Sequence, residues 1–300
     1  MQIPELCFKA STKGIGMNVT KGIRMEKLTM DLLENIIAEE AIYPVYQPIV
    51  SLHDGTILGY EGLSRMKDEN SFSNVEEMFK TAERTGKIWR LEQVCRKAVL
   101  QGINEQREIF ERKNRKLFLN VNPKILHDEK FQIGFTKDYL RRYYIYAEKI
   151  IFEVTERESV ENKSDFVNTV EHYKKQGYQI AIDDVGDGYA GLNLICSVSP
   201  HYIKLDINLI RNITQNQINY AMVKGLVEFS VNSGILLIAE GIETKQEMDM
   251  LIELGVQYGQ GYYLYRPMPM LQIEREELCR EIQAQNKKKY DKKEYAVISG

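Results

Sequence analysis

From Leu117 onward the chain alternates short β-forming runs with helical stretches. Strands are expected at Leu117–Val121, Ile150–Val154, Tyr178–Ile182, Tyr202–Leu205, Ile235–Ala239 and Val256–Gly259. Helical patterns lie between them at Thr136–Tyr146, Lys163–Gln176, Leu192–Ser197, Asn208–Asn232 and Lys245–Leu254. Gly177, Gly234 and Gly255 stand where a helix hands over to the next strand, a common place for a C-terminal cap. Alternation of this kind argues for a parallel sheet covered by helices.

Upstream, Glu26–Glu40 sets Leu28, Leu32, Leu33, Ile36 and Ile37 on one helical stripe. Tyr43–Leu52 and Thr56–Tyr60 read as two strands joined by the turn His53-Asp54-Gly55, and helices follow at Val75–Glu83 and Lys87–Gln106. Counting the opening hairpin gives about eight strands without a composition break, which fits one α/β barrel of the (β/α)8 type. An open doubly wound sheet is the alternative, but no GxGxxG or GxxxxGK[ST] follows any strand. The expected division is a leader and helix over 1–40, the barrel over 41–270, and a C-terminal helix (Gln272–Gln285) with a Lys-rich tail over 271–300.

The charge balance of 40 basic against 43 acidic residues implies no general polyanion-binding surface, so DNA is not an expected partner. Cys7, Cys95, Cys196 and Cys279 are scattered without CxxC spacing, which suits a reducing compartment and argues against a zinc ribbon. No apolar run is long enough to span a bilayer and the first residues lack a signal-peptide core, so a soluble cytoplasmic protein is expected.

The candidate chemistry gathers at strand ends. Tyr178–Ile182 runs into Asp183 and Asp184 and then into Gly186-Asp187-Gly188. A buried strand that delivers two acids into a glycine loop is costly unless a positive charge compensates them. Other strand ends carry Glu61, Asn120, Glu153, Lys204, Glu240 and Gln260. Singly, each has a structural explanation as a helix start, a turn cap or a snorkelling lysine. In a barrel, however, they converge on one face. Five carboxylates there repel one another unless cations intervene. Two divalent ions would absorb that charge, and all-oxygen ligands favour Mg2+ or Mn2+ over Zn2+. The histidines His53, His127, His172 and His201 all lie away from these ends. Paired oxygen-ligated ions suit in-line attack on a phosphodiester.

These residues resemble the EAL-domain phosphodiesterases of bacteria, which linearise cyclic di-GMP. The matching stretches run from about Tyr43 to Met268: Tyr46-Gln47-Pro48-Ile49, Glu61-Gly62-Leu63-Ser64-Arg65, Leu119-Asn120-Val121-Asn122, Glu153-Val154-Thr155-Glu156, Asp183-Asp184-Val185-Gly186-Asp187-Gly188, Lys204-Leu205-Asp206, Ala239-Glu240-Gly241-Ile242-Glu243-Thr244 and Gln260-Gly261-Tyr262. The resemblance implies a modified (β/α)8 barrel with one strand reversed. It implies two Mg2+ or Mn2+ ions, one on Glu61, Asn120, Glu153 and Asp183, the other on Asp183, Asp184 and Glu240. Lys204 would hold the attacking water, and Gln260 belongs to the implied catalytic set with Glu61 and Glu240. Gln47, Leu63 and Arg65 would contact cyclic di-GMP, and Glu156 would anchor the loop after Asp184. A homodimer is implied by the resemblance alone, and the helical leader is open to three readings: a docking arm for an upstream signalling partner, an inter-subunit strap or a solubilising lid.

The chain departs from the family pattern in three places. Gly62 stands where the family name implies alanine, Val185 replaces a usual phenylalanine, and Asp187 stands where a small or hydroxyl residue is common. The loop changes are expected to alter loop order and dimer coupling without removing the chemistry. The alternative reading is a catalytically weak or silent EAL domain that senses cyclic di-GMP or binds a protein. A glycoside hydrolase fits less well, since Trp89 is the single tryptophan for sugar stacking. A His-Asp phosphodiesterase fits poorly too, since His53-Asp54 and His127-Asp128 lack a further histidine cluster.

Overall fold

The computed structural model describes residues 27–68, 71–122, 124–125, 134–155, 163–186 and 191–298. Eight strands close into a barrel in sequence order: β1 (Ile42–Ser51), β2 (Ile57–Met66), β3 (Lys116–Asn120), β4 (Ile150–Thr155), β5 (Gln179–Val185), β6 (Tyr202–Leu205), β7 (Leu236–Ala239) and β8 (Tyr258–Gly259). Strand β1 is antiparallel to both of its neighbours, β2 and β8, and every other pairing is parallel. The reversal follows from the tight hairpin: a turn as short as 52–56 can only join antiparallel strands.

Helix α1 spans 27–38. After it come α2 (Val75–Arg84), α3 (Ile88–Glu105), α4 (Arg107–Glu111), α5 (Phe135–Arg142), α6 (Lys163–Lys175), α7 (Gly191–Val198), α8 (Ile207–Ile210), α9 (Gln217–Ser233), α10 (Lys245–Leu254) and α11 (Glu276–Ile298). Two apolar layers result. Ile49, Phe118, Ile151, Ala181, Tyr202 and Ile238 plug the barrel interior. The larger layer lies between strands and helices and takes in Leu33, Ile36 and Ile37 of α1 as well as Leu278 and Ile282 of α11.

Four segments differ from the sequence expectation. The helix expected over Thr136–Tyr146 ends at Arg142, where Tyr144 turns the backbone at φ 52°. β2 runs on through Glu61 to Met66, because β1 pairs with it along that whole length. The single helix expected over Asn208–Asn232 is two helices. The Asp206 carboxylate accepts the Asn208 amide at 2.8 Å to start α8, and Asn216 accepts the Ile218 and Asn219 amides at 3.0 and 3.2 Å to start α9. The last helix starts and ends later than Gln272–Gln285. Glu274 is held in a non-helical segment by Arg115 at 2.7 Å, and the lysine run is itself helical, with Lys289 Nζ donating to the Ile252 carbonyl at 2.9 Å. No helix among the described residues is long and apolar enough to cross a membrane.

Candidate active site

Side chains along a strand alternate between the two faces, so residues two apart share a face. Five barrel-plugging positions are therefore followed by a polar one at the carboxyl end. Phe118 leads to Asn120, Ile151 to Glu153, Ala181 to Asp183, Tyr202 to Lys204 and Ile238 to Glu240. The same inward stripe that fills the barrel thus lines its mouth.

Asp184 should face away from Asp183 under strict alternation, and a bulge changes that. Ile182 pairs with Ile203 and Val185 with Leu205, so β5 carries one extra residue opposite β6. Asp184 takes φ 57°, a left-handed value that costs energy for a residue with a side chain. Its amide donates to Asp183 Oδ1 at 3.1 Å. As a result Asp183, Asp184 and Glu240 each place one oxygen within 4.8 Å of the others.

Lys204, 1% exposed, stands at the centre. Its Nζ lies 2.7 Å from Glu240, 2.8 Å from Glu153, 3.2 Å from Asp183 and 3.6 Å from Glu61. Burial works against its charge, but Asp183, Glu153, Glu240 and Glu61 together hold its pKa well above the usual lysine value. One ammonium stands among four carboxylates, and burial moves their affinities for protons apart. Burial first, then the Glu61 charge, raises Glu153 well above the carboxylate range. Burial, with a contribution from Asp183, pushes Glu240 up to about 8 against the pull of Lys204. Glu61 is the exception: burial opposes its charge, yet Lys204 and hydrogen bonds from Gln260 and Asn120 keep its pKa below the ordinary value.

An amide frame surrounds the acids. Asn120 Nδ2 donates to Glu61 Oε1 at 3.0 Å, and Gln260 Nε2 donates to Glu61 Oε2 at 2.7 Å and to Gln47 Oε1 at 3.1 Å. Gln47 in turn donates to the Tyr265 carbonyl at 3.0 Å. Two buried oxygens, Glu153 Oε2 and Gln260 Oε1, have no hydrogen-bond partner among the described residues. Buried acceptors without donors, set among excess carboxylates, form a donor set that fits hard divalent cations.

Two cavities flank the acids. One of about 390 Å³ is lined by Gln47, Leu63, Asp184, Glu240 and Gln260. The other, about 350 Å³, is lined by Leu63, Arg65, Asn120 and Asn122. Arg65 thus stands outside the Lys204 cluster, its guanidinium donating to the Ser64 carbonyl at 2.8 Å. Glu156 and Asp187 lie outside the described residues, whereas Val185 is buried at the end of β5. The Glu92–Arg96 ion pair of α3, at 2.6 Å, was not expected from the sequence; it holds the segment just after β3 through the Asn122 amide. Its only trace in the sequence is an acid and an arginine four residues apart on an otherwise apolar helix face.

A closed barrel with one reversed strand and an oxygen-lined mouth defines a narrow class of barrel proteins. The chain belongs to the EAL domain family, whose model matches residues 30–267. It is 27% identical over 256 residues to the cyclic di-GMP phosphodiesterase PdeF of Escherichia coli K12, covering 85% of this chain and 34% of that protein. A standalone versatile EAL protein from Vibrio cholerae O395, solved with c-di-GMP bound, is 30% identical with a TM-score of 0.66, covering 79% of this chain and 97% of that one. Klebsiella pneumoniae BlrP1, solved as a calcium and cy-diGMP complex, is 25% identical with a TM-score of 0.69, covering 78% of this chain and 58% of the other. The chain spans between a third and a half of the length of the first curated relatives it matches.

Proposed function

We propose that this chain hydrolyses cyclic di-GMP to linear pGpG, with residues 41–270 as the catalytic unit and the bacterial cytoplasm as its setting. The observation that carries the proposal is the buried Lys204 ammonium among Glu61, Glu153, Asp183 and Glu240, all within 3.6 Å. Glu61, Asn120, Glu153, Asp183, Asp184 and Glu240 are the groups that would hold two cations, with Mg2+ or Mn2+ preferred for an all-oxygen set. When bound, such ions supply Lewis acidity and an acidified water.

The chain's own residues do the rest. Lys204 Nζ orients the attacking water through an N–H donated to its oxygen and adds positive charge beside the phosphate. Arg65 offers a planar fork to a phosphate oxygen pair. Gln260 holds Glu61 in place and, with Gln47 and Leu63, lines the cavity for the dinucleotide. Incubation of the protein with cyclic di-GMP and Mn2+, followed by chromatography, tests the reading. Linear pGpG is the expected product. Tight binding without product would instead identify a sensor domain, and neither binding nor product would overturn both readings.

A further inference from the structure

Outside the carboxylate cluster, α3 buries a charged pair that lines the same cavity as Leu63 and Arg65. Glu92 and Arg96 are each 4% exposed. Glu92 Oε2 meets Arg96 Nη2 at 2.6 Å, and Glu92 Oε1 accepts the Asn122 amide at 2.6 Å. Arg96 Nη1 donates to Thr136 Oγ1 of α5 at 2.7 Å. The guanidinium also stands 5.4 Å over the Phe152 ring of β4 and 6.0 Å over Trp89. Both anchored strands carry site residues. Asn122 follows Asn120 by two positions, Phe152 precedes Glu153, and the Val121 amide donates to the Glu153 carbonyl at 2.9 Å.

Burial pushes the Glu92 carboxyl up to about 7 even with Arg96 beside it, so keeping an acid here is costly. A buried ion pair often adds no net stability over an apolar pair of similar volume. What it adds is direction: each oxygen has one fixed partner.

We propose that Glu92 and Arg96 are positioning residues that fix the end of β3, and with it the Asn120 side chain against Glu61. Glu92 clamps the Asn122 amide, and Arg96 ties the clamp to α5 and to the β4 residue beside Glu153. The kinetic consequence rests on the proposed hydrolysis, whereas the structural consequence does not. The deciding comparison uses Glu92→Gln, Glu92→Ala and the apolar double variant Glu92→Leu/Arg96→Met, which keeps volume without charge.

Amide hydrogen exchange at Asn122 and the side-chain amide resonance of Asn120 are read in every variant. Glu92→Ala and the double variant are expected to speed Asn122 exchange at least tenfold and to shift the Asn120 resonance, while Glu92→Gln, which keeps an acceptor oxygen, restores most of the protection. In assays with Mn2+, kcat is expected to fall at least tenfold in the double variant while KM for cyclic di-GMP stays within about threefold and the melting temperature holds. Calorimetry should show weaker Mn2+ binding in the same variant. If Glu92→Ala does not fold, the double variant decides. Wild-type exchange at Asn122 in the double variant would overturn the proposal, as would a rise in KM with kcat intact, which marks a direct substrate contact. A wild-type protein that hydrolyses nothing removes the assigned activity and leaves the exchange result standing as the test.

Discussion

Lys204 is a positive charge buried among the carboxylates of the barrel mouth. Four carboxylates lie within 3.6 Å of its nitrogen, and removing one partner from a buried charge cluster typically costs about 3–5 kcal/mol. Lys204→Met is therefore expected to lose about that much stability in EDTA at pH 8, read by denaturant unfolding, and distinctly less at pH 5, where the acids can take up protons. Added Mn2+ should recover most of the loss, while kcat stays down by at least about 100-fold. A second expectation concerns pH in the unsubstituted protein. Glu240 sits at about 8 and Glu153 also lies well above 4.5, so between the ordinary carboxylate range and pH 8 the folded state binds more protons than the unfolded one. Stability then falls as pH rises through that window. Metal-free unfolding at pH 5.5 and at pH 8 should show the decline. Calorimetry at pH 7 in two buffers of different ionisation enthalpy should show proton release when Mn2+ binds. A flat pH profile and no proton release would remove the case that these acids share protons in the absence of metal.

At the scale of the strand and the helix, the departure at Gly62 acquires a reason. A Cβ built there would lie 2.5 Å from Val99 Cγ1 of α3, so the methyl missing from β2 is replaced by one from the facing helix. Gly62→Ala should lower stability by about 1–3 kcal/mol through overpacking, and Gly62→Ala/Val99→Ala should recover most of it. Thermal melts of the two variants decide the matter; equal losses in both would show that Val99 is not the obstacle. Helix α9 supplies a prediction of opposite sign. A Cβ at Gly225 meets nothing within 4 Å, so Gly225→Ala should stabilise the chain by about 0.5–1 kcal/mol in a urea melt. These elements also show what the sequence could and could not convey. The positions of Asn120, Glu153, Lys204 and Glu240 were legible because a short β-forming run that closes on a polar residue is a local signal, whereas the inward stripe that joins them to the barrel plug shows only in the fold. The β5 bulge was not readable, because an extra residue appears only when β6 is laid beside it. Nor was the split between α8 and α9, since apolar spacing continues across 208–232 while the Asp206 and Asn216 side chains restart the backbone bonding. The length of β2 was set by pairing with β1, a non-local cause. The Glu92–Arg96 clamp was missed because a buried salt bridge and a surface one share the same four-residue spacing.

Across the described residues, the flanking helices α1 and α11 share the barrel's own packing. In α1, Glu34 pairs with Lys87 and with Arg90 at 2.9 Å, while Leu33, Ile36 and Ile37 enter the main apolar layer. Helix α11 lies against α10 and against the β1–β2 turn, at the end of the barrel away from the carboxylates. Asn286 Nδ2 donates to the Leu52 and His53 carbonyls at 2.8 and 3.1 Å, and the segment before α11 is tied to β3 by the buried Arg115, which binds both Tyr60 and Glu274. Ile282 of α11 is fully buried in the layer that also contains Trp89 of α3. If that layer is one cooperative unit, an injury at the C-terminal helix must be felt at α3 as well. Ile282→Ala should therefore cost about 2–5 kcal/mol, the range for truncating a buried aliphatic side chain. The loss should appear at the same urea midpoint in far-ultraviolet circular dichroism and in the fluorescence of Trp89, the single tryptophan. If the two probes separated, with helix signal lost first and Trp89 unmoved, α11 would be an independently melting appendage, and the shared core would not extend to it.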